Sequence, residues 1–262
     1  MPIDNWEDGS YYERFMGRWS KPLAVEFLKW LDAPNGLKWL EIGCGTGSLT
    51  GAILRSRSPQ YLLAIDPSQR FVEYSNSYLG SNIAEFKVAN ADQLPSPSNA
   101  VDIVVSGLVL NFIPDTTGAL QEMRRVLVPA GSVCGYVWDY AGKMEMLRLF
   151  WDAAASVFPD ARGEDEGIRF PLCDPENLSA ALEGAGLKDV SVEPISIQMD
   201  FHDFEDYWGP FLGGQGPAPS FLQNLGEEGV EEIHQELLTL LPIQQDGTIS
   251  LVGQAWAFKG EK

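Results

Sequence analysis

The stretch Trp39–Gly51, WLEIGCGTGSLTG, runs from an apolar segment into three glycines at alternate positions, Gly43, Gly45 and Gly47, and then into helix-forming residues. An apolar run that ends in glycine reads as a buried strand, and the residues after it read as a helix. A strand, a bare turn and a helix in that order commonly bring main-chain N–H groups against a polar ligand. Many ligands fit this description, and the rest of the chain must choose among them.

Working outward, the same rhythm returns. YLLAID is a strand, PSQRFVEYSNSYL a helix opened by Pro67, AEFKVAN and VDIVVSG are strands, DTTGALQEMRRVL a helix capped by Asp115 or Thr116, and GSVCGYVWDY a fifth strand. Strands alternating with helices predict an α/β fold: a mostly parallel sheet of Rossmann-like type with helices on both faces. Before the first strand, ERFMGRWSKPLAVEFLKWL predicts a pair of N-terminal helices, with Pro22 in the first turn of the second. After Asp139 the pattern changes to a Met- and aromatic-rich helix, an irregular acidic stretch, a helix capped by Asp174, and two late strands, KDVSVEPISIQM and ISLVGQAWAFK, separated by a largely helical insert. We expect one domain over 1–262: a helical lid at 1–35, a ligand-binding core at 36–140, cap inserts at 141–172 and 201–242, and late strands of the sheet at 173–200 and 243–262.

The chain has 262 residues, 37 acidic against 18 basic, for a formal net charge of −19. Binding a polyanion depends on neutralising phosphates with Lys and Arg, so a nucleic-acid substrate is not expected, nor an anionic membrane surface. Three scattered cysteines without a C-x-x-C pair, and an acidic N-terminus without an apolar run, point to a reducing, cytoplasmic setting with no membrane insertion. Only two histidines are present, with no spaced His/Cys cluster, so no metal is expected.

A dinucleotide-binding turn reads G-x-G-x-x-G, and its third glycine would fall at Ser48, so a nicotinamide enzyme fits poorly. Taken together, LEIGCGTG, AIDPS, NADQLP and VLVPAGSV resemble, in order and spacing, the class I S-adenosylmethionine-dependent methyltransferases, over roughly Tyr12 to Tyr140. They are most similar to the small-molecule branch that includes the ubiquinone and menaquinone biosynthesis methyltransferases. Two departures stand out: Ser96 replaces an aromatic after LP, and Pro129-Ala130-Gly131 keeps one of two usual glycines.

The resemblance implies S-adenosylmethionine as cofactor and S-adenosylhomocysteine as product. It places Arg18, Trp19, Glu41, Gly43, Cys44, Gly45, Gly47, Asp66, Pro67, Asn90, Ala91, Asp92, Gln93, Ser106 and Gly107 around the cofactor. Glycines there let the main chain approach the methionine and ribose portion without a Cβ. Glu41 would face the ammonium group, Asp66 the ribose hydroxyls, and Asp92 the adenine amino group, with main-chain N–H groups of Ala91 and Gln93 offered to the ring. Glu41 and Asp66 could instead serve as structural carboxylates, one bracing a turn and the other capping the helix at Pro67. Cys44 is expected as filler.

On the acceptor side the candidates are Tyr11, Tyr12, Asn111, Trp138 and, as a general base, His202. His234 is expected to be solvated. The implied function is in-line methyl transfer to a small apolar or aromatic metabolite, by a monomer or homodimer. A protein that binds S-adenosylmethionine without transferring the methyl, as a sensor or partner subunit, is the alternative.

Overall fold

The computed structural model describes residues 13–213 and 216–262. Tyr11 and Tyr12, two of the expected acceptor-side groups, lie outside the described residues. The chain divides into two compact units: one comprises the described stretch ending at Trp19 with Trp138–Pro171 and Ser196–Ala255, the other Ser20–Val137, Leu172–Ile195 and Trp256–Lys262.

The sheet has seven strands: β1 (Lys38–Ile42), β2 (Tyr61–Asp66), β3 (Ala84–Val88), β4 (Val101–Gly107), β5 (Leu127–Trp138), β6 (Lys188–Phe201) and β7 (Ile249–Glu261). Their order is β3-β2-β1-β4-β5-β7-β6, and β1 pairs in parallel with both β2 and β4. β1 is buried from Trp39 to Ile42, as a strand covered on both faces must be. Pro194, which cannot donate to a ladder, sits in β6 at the edge of the sheet.

Of the helices, α1 (Arg18–Leu31) continues a π turn at Glu13–Gly17 where two separate helices are expected from the sequence. Pro22 therefore lies inside α1, and the carbonyl it cannot bond, four residues back, is that of Arg18, where the π turn meets the α-helix. Next in the second unit come α2 (Ser48–Ser56), α3 (Gln69–Leu79) and α4 (Thr116–Val126). Asp115 caps α4 by accepting from the Gly118 N–H at 2.9 Å.

The turn at Pro129-Ala130-Gly131 lies within β5, where residues 128–131 stand against the single residue Asp102 between the pairs Val101–Leu127 and Ile103–Ser132. Ala130 takes φ +62°, the left-handed conformation that a glycine would adopt freely. The turn therefore survives the missing glycine, with the strain carried at Ala130.

The first unit contains α5 (Glu145–Val157) and α7 (Glu227–Leu240), while α6 (Pro175–Gly184) belongs to the second. Asp174 caps α6 with bonds from the N–H groups of Glu176 and Asn177. In the first unit, Phe150 stacks on Phe211 with centroids 4.7 Å apart and planes 8° from parallel. Phe15 meets Phe211 edge-on at 5.1 Å, so several segments share one aromatic core. The buried Tyr207 hydroxyl donates to the Met146 carbonyl at 2.8 Å.

Candidate functional site

The strand order reverses at β1, whose neighbours are β2 on one side and β4 on the other; in open α/β sheets this is where ligands bind, beyond the strands' carboxyl ends. The glycine loop follows β1 directly. Gly43, Gly45 and Gly47 have φ of +71°, +49° and +78°, a region that costs other residues energy. A Cβ on Gly43 would stand 2.5 Å from Cγ1 of the β-branched Val109, so packing demands that glycine; one on Gly47 would meet only the tip of the flexible Leu79 side chain, at 2.6 Å, so its φ is what favours glycine there. At Gly45 a Cβ would meet nothing within 4 Å, so the space beside it is open.

The loop's donors are already engaged. Gly43 and Cys44 both donate to the Ile65 carbonyl at 2.8 and 2.9 Å, Gly47 donates to the Cys44 carbonyl at 2.8 Å, and Gly45 donates to Asp66 Oδ2 at 2.9 Å. On the other side, Ser75 Oγ donates to the Gly45 carbonyl at 2.7 Å and the Tyr78 hydroxyl to the Thr46 carbonyl. The expectation that a bare backbone here presents its N–H groups to a ligand is corrected at these four residues. What the loop supplies is room.

Asp66, at the end of β2, is 7% exposed and accepts one main-chain N–H on each oxygen, from Gly45 at 2.9 Å and Ser68 at 2.8 Å. Burial raises its pKa and the two N–H groups oppose that rise. The helix cap is Ser68, not Asp66, so one lone pair on each Asp66 oxygen is left over for a ligand. Glu41 is 1% exposed and accepts from Thr50 Oγ1 at 2.6 Å. Burial pushes its pKa up to about 8, so the carboxyl is protonated at pH 7. Through that bond Glu41 braces α2 from the strand that leads into the glycine loop. Desolvation raises the buried Cys44 thiol further, beyond any range in which a thiolate could act.

After β3, Asn90, Asp92 and Gln93 are exposed and Ala91 is half-buried. The Gln93 N–H closes a turn onto the Asn90 carbonyl at 3.3 Å, which competes with the role expected for it. The Asp66 carbonyl accepts from the Ala89 N–H at 3.2 Å, tying this loop to the end of β2. Pro67 is exposed between them.

At the end of β4, Ser106 is 1% exposed and its Oγ has no partner. A Cβ on Gly107 would lie 2.7 Å from the Tyr136 hydroxyl and 3.2 Å from Leu49 Cδ2, so this strand end also packs without a side chain. Leu108 then takes φ +61°, an uncommon conformation for a bulky residue. Nothing in the sequence signals this strain. Asn111 follows on a single 3-10 turn, with both amide atoms buried and unbonded; Ser48 Oγ is a third such group.

Glu41, Gly43, Cys44, Gly45, Gly47, Asp66, Pro67, Asn90, Ala91, Asp92, Gln93, Ser106, Gly107 and Asn111 all belong to the second unit, while Arg18, Trp19, Trp138 and His202 belong to the first. There Arg18 makes a forked pair with Asp206 at 2.7 and 3.2 Å and donates to the Asp200 carbonyl at 3.2 Å. Its guanidinium lies 4.3 Å from the ring centroid of the buried Trp19. Arg18 holds the Asp206 carboxyl below the usual carboxylate range. Trp138 is buried; His202 is exposed, its main-chain N–H donating to Asp206 at 3.0 Å. His234 is half-buried against Phe204 and Trp208, not simply solvated.

Residues 40–135 match a family model described as a methyltransferase domain. The chain carries a methyltransferase domain there, with the Rossmann-like fold of the class I enzymes. The methyltransferase is 29% identical over 140 residues to a demethylmenaquinone methyltransferase of Lactobacillus johnsonii, covering 52% of this chain and 57% of that protein. To the Geobacillus stearothermophilus demethylmenaquinone methyltransferase it is 27% identical over 196 residues, covering 69% of this chain and 81% of the relative. The matched stretch thus spans little more than half of the first relative and most of the second. Among solved structures, phosphoethanolamine N-methyltransferase 2 of Haemonchus contortus, in complex with S-adenosyl-L-methionine, superposes with a TM-score of 0.60 at 16% identity. That match covers 97% of this chain and 56% of the other, and at such identity it shows the fold alone. No described helix of the methyltransferase is long and apolar enough to cross a membrane.

Proposed function

We propose that this methyltransferase transfers the methyl group of S-adenosylmethionine to a small, apolar or aromatic metabolite by in-line displacement. The observation that carries the reading is the set of groups at the ends of β1, β2 and β4: an open position beside Gly45, a carboxylate with free lone pairs at Asp66, and unpartnered polar atoms on Ser48, Ser106 and Asn111. This donor and acceptor set fits a ligand that is part sugar and part amino acid. In the reaction the bond from methyl carbon to sulfur breaks as the bond to the acceptor atom forms, the sulfur keeping the electron pair.

In this reading Asp66 accepts from the ribose hydroxyls with the lone pairs its two main-chain bonds leave free. Glu41 faces the ammonium group, and the adenine lies toward Asn90–Gln93, with Asp92 accepting from its amino group. A small acceptor is supported by the net charge of −19, which disfavours polyanions, and by the names of the relatives.

Isothermal titration with S-adenosylmethionine and S-adenosylhomocysteine tests the reading; a folded sample that binds neither overturns it. Formation of S-adenosylhomocysteine on incubation with small-molecule extracts separates transfer from binding alone. Asp66→Ala is expected to weaken S-adenosylhomocysteine by about 1–3 kcal/mol, the range for losing a charged hydrogen-bond partner. Unchanged affinity would remove the ribose assignment.

A further inference from the structure

In the first unit, the helix Pro217–Gln223 is apolar on two sides. Ala218 and Leu222, four residues apart, are buried in the core. Ser220, Phe221, Asn224 and Leu225 follow the same spacing along another side, and that side lines a cavity of about 500 Å³. Phe158, at the end of α5, joins them in the lining. A cavity of this size suits a small organic molecule.

The two rings are held back from the cavity instead of filling it. Phe221 leans on the buried Trp151, with ring centroids 5.5 Å apart. Phe158 lies against α7 at Gly229, where a Cβ would stand 3.1 Å from its Cζ. A glycine within a helix weakens it, and here the missing side chain is what admits the ring. Both rings remain half-buried, so the cavity keeps aromatic surface that closure would bury.

The charges of the lining are unequal. Asp160 and Glu164 both contribute to it, and neither carboxylate has a hydrogen bond or ion pair with a described residue. Arg169 is the one base among the described residues that line the cavity. Its guanidinium lies 5.5 Å from the Phe170 ring centroid, and its charge favours the ionised form of the buried Glu166. A cation beside aromatic rings and carboxylates is attracted by both, and the net charge of −19 draws cations to the surface. An anion would meet two carboxylates for one guanidinium.

We propose that this cavity binds a small organic cation, its apolar body against Phe158, Phe221 and Leu225 and its ammonium group toward Glu164 and Asp160. All the lining residues belong to the first unit, whereas the glycine loop and Asp66 belong to the second. The site is therefore additional to the one assigned to S-adenosylmethionine, and occupancy does not depend on that assignment.

Tryptamine, tryptophol and indole-3-acetate share an indole and differ in charge, and ligand-observed NMR titration of the full chain ranks them. We expect tryptamine to bind about tenfold more tightly than tryptophol, and indole-3-acetate more weakly than either. Glu164→Gln should cut that preference to about threefold or less and leave tryptophol within about twofold. Ser220→Trp, which fills the cavity, should remove binding of all three. Thermal unfolding checks that both variants fold, and Glu164→Gln decides the matter if the bulkier one does not. No binding of tryptamine at millimolar concentration, or indole-3-acetate binding as tightly as tryptamine, overturns the proposal. So does tryptamine binding that persists in a folded Ser220→Trp, or a charge preference that Glu164→Gln leaves intact, since either traces the binding to the acidic surface at large.

Discussion

The interior of the first unit and the ligand end of the second treat polar groups in opposite ways. In the first, Arg148 is forked onto Asp165, with one bond of 3.0 Å, Trp151 donates its ring N–H to Glu166, and the Tyr207 hydroxyl is bonded to a carbonyl. Among its described residues, the one buried side-chain polar atom without a partner is Trp19 Nε1. At the ends of β1 and β4, Ser48, Ser106 and Asn111 go unpartnered, and Gly45 faces open space. A buried polar group that is satisfied stabilises one arrangement; one left unsatisfied calls for a partner from outside the chain, water or ligand, and the second unit also leaves Trp39 Nε1, Arg57 Nε and Trp256 Nε1 in that state.

The sharpest way to break the comparison is inside the loop itself. Gly43→Ala adds a methyl against the β-branched Val109 at φ +71°, and we expect a loss of about 3–5 kcal/mol in urea unfolding. Gly45→Ala meets no atom, so it should lose only about 1–2 kcal/mol from its φ of +49°. It should nonetheless weaken S-adenosylhomocysteine by about 30-fold or more, because its methyl fills the space left for the ligand. If Gly45→Ala folds and binds normally, the open position is not the cofactor's.

The two buried glutamates sharpen the contrast through pH. Glu41 and Glu166 both have pKa values pushed up to about 8 by desolvation. Since the folded value exceeds the unfolded one, their contribution is full below pH 4.5 and is lost as pH rises toward 8. Glu166→Gln, which cannot ionise, should flatten the stability profile over that window without altering the pH dependence of cofactor binding. At Glu41, an arriving ammonium group favours the carboxylate, so binding should release a proton and affinity should rise with pH up to about 8. Titration in buffers of different ionisation enthalpy counts that proton. Its absence in wild type, or its persistence in Glu41→Gln, would remove Glu41 from the ammonium site. The smallest effect is expected at Ala130→Gly, which relieves a φ of +62° and should gain up to about 1 kcal/mol in urea unfolding.

Much of this was legible in the chain. The alternation of apolar runs and helical patterns located β1 through β5, and Asp115 and Asp174 announced their caps. The cap segments were less so: π and 3-10 turns lack a distinctive period, and the neighbours of His234 come from other segments.

What the sequence determined by itself is the fold class, the family, and the positions of Gly43, Gly45, Gly47 and Asp66, because strand periodicity and bare turns are local properties. Only the tertiary structure decided that Gly43 serves packing and Gly45 leaves space, that the loop's donors are spent on Ile65, Asp66 and Cys44, and that Ser106 and Asn111 go unsatisfied. The reason is physical: whether a polar atom has a partner depends on chain segments tens of residues away, and no local pattern carries that information.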